Sequence, residues 1–389
     1  MDRTRQRLSH RKSRNGCAVC KTRHIKCDEA RPACGNCRIS EKKCHYLTSN
    51  KHKLTPPPYE QELTTSIWLQ TATTSLVPVS TPSVELRFSE VDELFTLDHM
   101  KLFRHVEKDM WEWMMVTKHL RPLEDFYVSS ALETPYLMSQ LLALAAMHLS
   151  TAEGDSSAWY LSQAIRLRQR ALQGFNDSLK DTSASKVKSQ FLFSSLFGLH
   201  YLAENVAGAP EQEFAETFAA VVEYLRVHRG PRIMGDRSWE TLCDSPINTW
   251  FRVLNEELNT PCMQLEVSFN SFALIGAMLR VSDLNKESIA ACESARQALE
   301  SVQHRMHGPK GWGVHALMAW SSLIPLRFIG LLEKQIPEAL VILAHYAVGL
   351  HQFREFWCLG ETGNRLFQGI SKLLASYWAV WLPQFGSEL

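Results

Sequence analysis

A doubled cysteine pattern near the start of this 389-residue chain constrains its fold more than any other feature. Six of the ten cysteines follow the spacing C-x2-C-x6-C-x6-C-x2-C-x6-C, so that the second triplet repeats the first. A disulfide framework needs an oxidising compartment, and the basic start of the chain lacks the apolar segment of a secretory signal. Pairs spaced C-x2-C suit metal chelation instead, because one short turn brings both sulfurs to the same ion. We therefore predict that these six are metal ligands: Cys17, Cys20, Cys27, Cys34, Cys37 and Cys44.

The number of sulfurs limits the number of ions. Zinc prefers four tetrahedral ligands, and soft thiolates favour it over magnesium or calcium. One four-cysteine site leaves two sulfurs unused, and two separate sites need eight. Six sulfurs therefore serve two ions only if two of them bridge both, which predicts Zn(2+), two per chain, as the cofactor. An iron–sulfur cluster is the alternative, but the spacing fits the ferredoxin patterns poorly.

Charge is distributed as unevenly as cysteine. Residues 1–53 contain 15 Lys and Arg against 4 Asp and Glu, a net charge of +11, whereas the rest of the chain has 27 basic and 37 acidic residues, a net charge of −10. Such asymmetry indicates a polyanionic partner for the basic part, although a solvated basic tail explains the charge alone equally well. Beside the cysteines, it predicts double-stranded DNA as the partner. The opposite charges also suggest that the acidic part competes with DNA for the basic part.

The cysteine-rich stretch resembles the fungal Zn2Cys6 binuclear cluster. The resemblance is carried by Gly16 to Asp28, by Pro32 to Cys37, and by Cys44. It implies that Cys17 and Cys34 are the bridging thiolates and that the module acts in the nucleus. It also implies a short helix that enters the DNA major groove, as such modules place it.

Basic side chains crowd the loop that follows Cys20, and we predict that they contact DNA. Arg and Lys donate hydrogen bonds to guanine O6 and N7, while other cations hold phosphates. In the family, the fourth residue after the second cysteine is usually a base-reading Lys or Arg, and here it is His24, so Arg23 or Lys21 carries more of the readout. The alternative is that His24 only faces solvent. The predicted DNA-contacting residues are Lys21, Arg23, His24, Lys26, Arg14 and Lys12.

Composition divides the chain into four parts. A basic N-terminal arm (1–15) carries a cluster typical of nuclear import or of phosphate contacts, formed by Arg3, Arg5, Arg7, Arg11, Lys12 and Arg14. The Zn2Cys6 DNA-binding domain (16–47) follows, and then a Ser/Thr/Pro-rich linker (48–89), in which 16 of residues 54–83 are Thr, Ser or Pro. The linker has no sustained heptads. A homodimer would therefore assemble through the last part (90–389); otherwise the chain binds DNA as a monomer.

The last part has apolar residues at helical spacing and no alternating strand pattern. A buried helix is predicted at 136–147, and a second, antiparallel to it, at 159–172. Further helices are predicted at 191–203, at 214–228 with Gly230-Pro231 as a stop signal, and at 336–357. The predicted fold class is a small Zn2Cys6 binuclear cluster module plus a large all-α helical regulatory domain of about ten helices. Charged residues interrupt the longest apolar stretches, so we expect no membrane span.

This helical part resembles fungal-specific transcription factor regulatory domains, and most closely the sterol uptake control-type regulators. The resemblance is carried by 193–200, 225–230 and 337–346. It implies an apolar small-molecule ligand that controls nuclear entry and activation. Relatives often have Gly-Gly-Trp-Gly before the last helix, where this chain has Gly360-Glu361-Thr362-Gly363, so the resemblance does not specify a sterol.

The aromatic residues of the last 80 or so positions have two interpretations, the wall of a ligand pocket or ordinary core. They are Trp312, Trp320, Phe328, Phe356, Trp357, Tyr377, Trp378 and Trp381. The four remaining cysteines lack paired spacing and are predicted to be core residues: Cys243, Cys262, Cys292 and Cys358. His304 and His307 lack a third ligand and are predicted to be a surface pair.

Together these features predict a nuclear, sequence-specific DNA-binding RNA polymerase II transcription regulator, acting as an activator. Its helical domain would sense a ligand or partner and contact the transcription machinery, and it would control a sterol/lipid or secondary-metabolite biosynthetic gene set. The chain is predicted not to be an enzyme, since the common nucleophile, dinucleotide, phosphate-loop and zinc-protease motifs are missing. The alternatives are a zinc-dependent protein-interaction module and an enzyme with an α-helical catalytic domain.

Overall fold

The computed structural model describes residues 15–46, 95–114, 121–151, 156–181, 183–207, 213–245, 247–248, 266–306 and 313–385. The zinc module is residues 15–46, and the helical body comprises the described residues from 95 to 385. The basic residues from Arg3 to Arg14, the linker, Cys262, His307 and Trp312 lie outside the described residues.

The zinc module contains two five-residue helices, α1 (Ala18–Thr22) and α2 (Gly35–Ile39). They are short because a zinc-ligand pattern, rather than a long apolar face, organises this stretch. The peptide bond between Arg31 and Pro32 is cis, within the loop between the two half-clusters.

Thirteen α-helices of the helical body lie in the described residues with both ends, besides the two helical residues 247–248, where about ten helices were expected. The first seven are α3 (Leu97–Trp113), α4 (Arg121–Glu133), α5 (Pro135–Ser150), α6 (Ser157–Ser178), α7 (Ala184–Leu202), α8 (Phe214–Val227) and α9 (Gly230–Cys243). The other six are α10 (Glu266–Val281), α11 (Lys286–Met306), α12 (Gly313–Leu323), α13 (Leu326–Glu333), α14 (Pro337–Gln352) and α15 (Thr362–Leu373). A π-helical turn (Ala203–Ala207) follows α7, and a 3-10 helix (Ser376–Trp381) comes last. The described residues contain no strand, which confirms the predicted fold class.

Two helices that are apolar all round form the centre of the body. Every residue of α5 from Tyr136 to Met147 is buried, and so is every residue of α14 from Glu338 to Ala347. Both begin with a proline in the first turn, where its missing N–H costs no helical hydrogen bond. A helix without a polar face belongs inside a large protein, so the other helices surround these two.

Helix α6 packs antiparallel to α5, as the sequence predicted. Gly174, near the end of α6, lies so close to Tyr136 that an added Cβ would be 2.7 Å from the Tyr136 Cβ. At the other end of the pair, the Ser157 hydroxyl donates to the Ser150 carbonyl at 2.6 Å. The two helices therefore contact each other at both ends.

Three predicted helix limits need correction. The helix expected at 336–357 ends earlier, at Gln352, and turns follow it. The apolar helix expected from Phe191 begins earlier, at Ala184, because its first turns are mostly polar, with Val187 as their only large apolar residue. The Gly230-Pro231 pair does follow the end of α8, but it also opens α9, with the proline in the first turn. Proline at a helix start and glycine after a helix end are both favourable, so the pair serves two helices at once.

Among the described helices, none is alone both long and apolar enough to cross a membrane; α12 and α13 reach that length only as a pair bent by 90°.

Candidate metal centre and DNA-reading surface

The predicted metal ligands converge in the zinc module. The Cys17 Sγ lies 3.7 Å from the Cys34 Sγ and 3.6 Å from the Cys37 Sγ, and the Cys20 Sγ lies 3.5 Å from the Cys34 Sγ. Two sulfurs on one tetrahedral zinc, each about 2.3 Å from the ion, are about 3.8 Å apart. Sulfurs joined in a disulfide are about 2.05 Å apart. The spacing therefore fits shared zinc ions, and these cysteines are free thiols rather than disulfides.

The sulfurs form two overlapping groups of four. One group is Cys17, Cys20, Cys27 and Cys34, and the other is Cys17, Cys34, Cys37 and Cys44, with all sulfurs of a group within 4.8 Å of one another. Cys17 and Cys34 belong to both groups. This arrangement fits the bridging roles that the family resemblance implies for these two residues.

Burial makes this a site that needs metal. Burial raises the pKa of Cys37 and, helped by Cys17 and Cys34, raises the pKa of Cys20 to about 12. Burial alone would also raise the pKa of Cys17, but hydrogen bonds from the Cys20 backbone N–H and the neighbouring thiols lower it to about 6. Zinc binds cysteine as the thiolate, so metal binding displaces the protons of thiols whose pKa is raised in this arrangement. About 30 residues bury too little apolar surface to fold alone, so the free energy of metal binding stabilises the module.

The two halves of the module repeat each other in structure as well as in sequence. Each short helix starts at a ligand cysteine, whose sulfur accepts from the N–H three residues on: Cys20 N to Cys17 Sγ at 3.3 Å, and Cys37 N to Cys34 Sγ at 3.4 Å. The N–H of each capping cysteine donates in turn to the third sulfur of its own half. Those distances are 3.4 Å for both Cys17 N to Cys27 Sγ and Cys34 N to Cys44 Sγ.

Asp28 joins the first half to the second. Its carboxylate accepts from the Ala30 N–H at 3.2 Å and from the Gly35 N–H, at the start of α2, at 2.9 Å. A Cβ on Gly35 would lie 2.6 Å from Asp28 Oδ2, so only glycine permits this approach. The sequence named Asp28 only as part of a family signature, and its role in placing α2 is a finding of the structure.

The segment predicted to read DNA lies on the module surface. Lys21, Arg23, His24 and Lys26 are all exposed, at the end of α1 and in the loop that follows. The Arg23 guanidinium donates from Nη1 to Ser40 Oγ at 3.0 Å, so this side chain rests against the second half of the module. His24 has a positive φ of 53°, which turns the chain sharply after α1. The structure thus presents four of the six predicted DNA-contacting residues together, while Lys12 and Arg14 lie outside the described residues.

Tyr46 is part of the module, although sequence reasoning missed it. Its hydroxyl donates to the Ala30 carbonyl at 2.7 Å and lies 3.8 Å from the Cys27 Sγ. The Arg31 guanidinium stacks 4.4 Å from the centre of its ring, a cation–π contact. Tyr46 therefore closes the side of the cluster next to Cys27.

In the helical body, three of the predicted pocket aromatics belong to the core, Trp357, Trp378 and Trp381 pack against it half-buried, and Tyr377 is exposed. Trp320, Phe328 and Phe356 are fully buried, and the Trp320 ring stacks on Tyr346 with centroids 4.3 Å apart. The Trp320 Nε1 donates to the Ala295 carbonyl at 3.0 Å. A cavity of about 410 Å³ lies elsewhere, between α10 and α11, and is lined by Phe272, Ala273, Gly276, Leu279, Arg280, Ile289, Glu293 and Arg296. None of the seven predicted aromatic residues that the structure describes lines it.

Two of the three other cysteines that the structure describes lie in the core, as predicted. Cys292 and Cys358 are fully buried, and Cys243 is half-buried. Burial raises the pKa of both Cys292 and Cys358, which keeps them as neutral thiols. They act as small core residues.

Comparison with known proteins gives the class of this one. Residues 15–53 match the fungal Zn(2)-Cys(6) binuclear cluster domain, and residues 101–207 match the fungal specific transcription factor domain. The chain is therefore a fungal Zn2Cys6 transcription factor with a fungal-specific regulatory domain. Its cluster binds two zinc ions, its zinc domain binds DNA, and its family consists of transcription factors rather than enzymes.

Two similar proteins extend over most of the chain. The Zn(2)-C6 fungal-type transcription factor afumD of Aspergillus fumigatus is 25% identical over 359 residues, which cover 88% of this chain and 86% of that protein. A Zn(2)-C6 fungal-type transcription factor of Gibberella zeae is 23% identical, covering 94% of this chain and 83% of that protein. Sterol uptake control protein 2 of Candida albicans is 57% identical over only 44 residues, 11% of this chain and 6% of that protein. That similarity falls on the zinc cluster, so the sterol regulators resemble this chain in its DNA-binding module.

Proposed function

We propose that this transcription factor is a nuclear, sequence-specific activator that reads DNA with Lys21, Arg23, His24 and Lys26. One observation carries the proposal: these four side chains are exposed together at the end of a helix whose start is fixed by the ligand Cys17. Zinc holds the helix, so the side chains are presented without support from a large core. Lys21 and Arg23 are the residues suited to guanine edges, and Lys26 is suited to phosphate.

The zinc ligands and the basic arm complete the proposed site. Cys17 and Cys34 are the bridging thiolates, supported by their place in both groups of four sulfurs. Lys12 and Arg14 add phosphate contacts, and the same arm directs nuclear import. The proposed limits are an arm at 1–15, a DNA-binding domain at 16–47, a linker at 48–89 and a regulatory domain at 90–389.

Selection from randomised duplexes with the zinc-loaded full chain tests the DNA-reading proposal. We expect one common motif, loss of binding after chelation, and a steep fall in affinity with salt. The double variant Lys21→Ala, Lys26→Ala should lose binding, and the matched control Lys101→Ala, Lys372→Ala, on the helical body, should not. Equal affinity for all duplexes would leave only a non-specific DNA-binding or protein-interaction module.

The target genes are proposed to be a biosynthetic set, of sterols and lipids or of secondary metabolism. Two short matches of similar length support it. Sterol uptake control protein 2 of Candida albicans matches over 44 residues, and the aspercryptin biosynthesis cluster-specific transcription regulator of Emericella nidulans is 45% identical over 49 residues. Mapping bound sites across the genome, with transcript levels after deletion and overexpression, tests both the gene set and the sign of regulation.

The regulatory domain is proposed to take an apolar ligand in the cavity between α10 and α11, and to contact the transcription machinery, as a monomer or a homodimer. The cavity volume, about 410 Å³, is that of a small-molecule site. Native mass spectrometry of the full chain should show a bound molecule that is lost in Gly276→Leu, which fills the cavity. The helical glycine variant Gly330→Leu, which has open space around its Cβ position, should keep it. The same spectra report the oligomeric state.

A further inference from the structure

The second half of the zinc module contacts the helical body through a buried carboxylate. Glu41 is only 5% exposed. Its Oε2 accepts from Arg327 Nη2 at 2.7 Å, from Ser288 Oγ at 2.8 Å and from Asn285 Nδ2 at 2.9 Å. Its Oε1 accepts from Lys334 Nζ at 2.5 Å. Two cations and two neutral donors on the body thus bind one carboxylate of the module.

Backbone pairing supports the same contact. The N–H of Asn285 donates to the Glu41 carbonyl at 2.7 Å, and the N–H of Lys43 donates to the Asp283 carbonyl at 2.9 Å. Between them, Lys42 and Leu284 form an antiparallel β-bridge, and the Lys42 ammonium pairs with the Asp283 carboxylate. Residues 41–43 therefore pair with the loop between α10 and α11 through one isolated antiparallel β-bridge and the two backbone hydrogen bonds beside it.

That loop is held by the body itself. Leu284 is fully buried in the core, and Ser282 Oγ donates to Glu338 Oε1, on the central helix α14, at 2.6 Å. The Ser282 hydroxyl also accepts from the Leu284 N–H at 3.1 Å. The acceptor loop is thus positioned by contacts that do not involve the zinc module, and it forms a surface ready to receive residues 41–43.

Burying Glu41 against the body requires compensating groups on the body. A buried carboxylate loses its hydration, which is tolerated only with paired charges and hydrogen bonds. Glu41 also has a φ of 55°, a left-handed conformation that disfavours a residue with a long side chain. Burial alone would raise the pKa of Glu41, but hydrogen bonds from Lys334, Asn285 and Ser288 and the charge of Arg327 lower it. The body supplies the groups that offset these costs.

The contact leaves the DNA-reading segment free. Lys21, Arg23, His24 and Lys26 are exposed while Glu41 is buried. The charges in this contact are the reverse of the net charges of the two parts. The carboxylate belongs to the basic module, and the two cations belong to the acidic body. The expectation that the acidic body competes for the basic residues therefore does not describe this contact.

We propose that the loop 282–285 together with Arg327 and Lys334 is a docking site for the zinc module of the same chain, with Glu41 as the residue that specifies it. The docked module is held on the body in one orientation, with its DNA-reading segment outward. The proposal requires a folded zinc module but does not depend on which DNA sequence is bound.

Residue-level hydrogen exchange of the zinc-loaded full chain tests the docking site. In the docked state the amides of Lys43 and Asn285 are hydrogen-bonded across the contact. We expect Glu41→Gln to speed their exchange at least tenfold, with two zinc ions still bound. The matched control is Glu29→Gln, since Glu29 is a half-buried glutamate of the same module with a similar φ of 60°, and its carboxylate accepts from the Asn15 N–H, within the module. Unprotected amides in the wild type, or equal exchange in wild type and Glu41→Gln, would overturn the proposal.

A charge exchange tests whether the contact is direct. Glu41→Lys should remove the protection, and the double variant Glu41→Lys, Lys334→Glu should restore at least part of it. Loss without any recovery, in a chain that keeps both zinc ions, would mean that Glu41 does not act through this lysine.

Carbodiimide cross-linking distinguishes docking within a chain from docking between two chains. It joins the Lys42 amine to the Asp283 carboxylate as an amide, with loss of water to the reagent. In an equal mixture of light and isotope-labelled chains, we expect only light–light and heavy–heavy cross-linked peptides. Mixed peptides would show exchange between chains and would contradict the proposal.

Glu41→Gln should change the affinity for DNA less than threefold, and a gain above tenfold would show that docking hides the reading segment.

Discussion

His24 and Glu41 occupy the same position in the two halves of the zinc module. Each is the seventh residue after the cysteine that caps its helix, and each follows a five-residue helix. Their φ angles are 53° and 55°. Yet His24 is exposed next to the DNA-reading residues, and Glu41 is buried against Arg327 and Lys334. The two halves therefore share the same backbone turn, but its side chain is exposed to solvent in the first half and buried against the helical body in the second.

Because His24 and Glu41 face different partners, we expect a substitution at His24 to affect DNA binding without affecting the docking of the module on the body. His24→Ala removes a hydrogen-bond donor from the reading segment, so we expect specific DNA binding to weaken by about 1–3 kcal/mol, the range of one good base contact. The protection of the Lys43 and Asn285 amides should not change. Fluorescence anisotropy with the selected duplex measures the affinity for DNA, and hydrogen exchange of the same variant measures the amide protection. If binding is unaltered, His24 only faces solvent.

The overlap of the two sulfur groups predicts unequal effects of single cysteine variants. Cys17→Ala removes a ligand shared by both ions, so we expect both zinc ions to be lost. Cys20→Ala removes a ligand of one group only, and the chain should retain about one zinc. Metal content by plasma mass spectrometry gives the count, with the half-buried Cys243→Ala as a control that keeps two. Equal losses from Cys17→Ala and Cys20→Ala would contradict bridging by Cys17.

The basic residues are expected to divide into base-reading and phosphate-contacting groups. Arg23→Ala should reduce the preference for the selected site over random duplex. Arg3→Ala should weaken binding to all sequences alike and lower the slope of log affinity against log salt by about 1. Titrations of specific and random duplexes at several salt concentrations separate the two effects. The same behaviour from both variants would remove the distinction.

Most of the metal centre was predictable because metal ligands leave a local pattern. The spacing of Cys17 to Cys44 predicted the ligand set, and the charge of residues 1–53 predicted the DNA partner. Apolar runs such as 136–147 predicted buried helices because their period is set by the helix itself. These signals lie within a few tens of residues of one another.

No local sequence pattern predicts the docking of the zinc module on the helical body. Glu41 is one acid in a basic segment, and its partner Asn285 lies 244 residues further along the chain. A single charged residue is usually solvated, so its burial depends on packing that no spacing reveals. Tyr46 was missed for the same reason, since its role comes from contacts with Ala30 and Cys27 rather than from a motif.

The close packing of α15 on α14 predicts a strong effect of a small substitution. A Cβ at Gly363 would lie 2.4 Å from the His351 N and 2.5 Å from the Ala347 O, both backbone atoms that cannot rotate away. We expect Gly363→Ala to lower the free energy of unfolding by about 1–3 kcal/mol or more, the cost of overpacking. The control Gly330→Ala, where nothing lies within 4 Å, should be neutral or gain up to about 1 kcal/mol from helix propensity. Thermal unfolding followed by circular dichroism compares them, and equal melting temperatures would contradict the packing of α15.

Buried histidines predict that the helical body loses stability in acid. Burial lowers the pKa of His200 to about 3, with Arg168 adding to the effect, and lowers the pKa of His345 to about 4. In the unfolded chain these side chains have the ordinary pKa of about 6.5. Between those values the unfolded state binds protons that the folded state does not, so stability is complete above about pH 6.5 and falls as the pH drops toward 4. Each such histidine contributes a slope of at most about 1.4 kcal/mol per pH unit.

Denaturant unfolding of the full chain at several pH values, followed by tryptophan fluorescence, measures this slope. His200→Leu replaces a side chain whose two ring nitrogens have no hydrogen-bond partner among the described residues. We expect the slope of stability against pH between pH 6.5 and 4 to fall by the contribution of about one proton. The control Leu202→Ala, in the same helix and 1% exposed, should lower stability by a similar amount at every pH and leave the slope unchanged. An unchanged slope in His200→Leu would mean that this histidine is already protonated in the folded body.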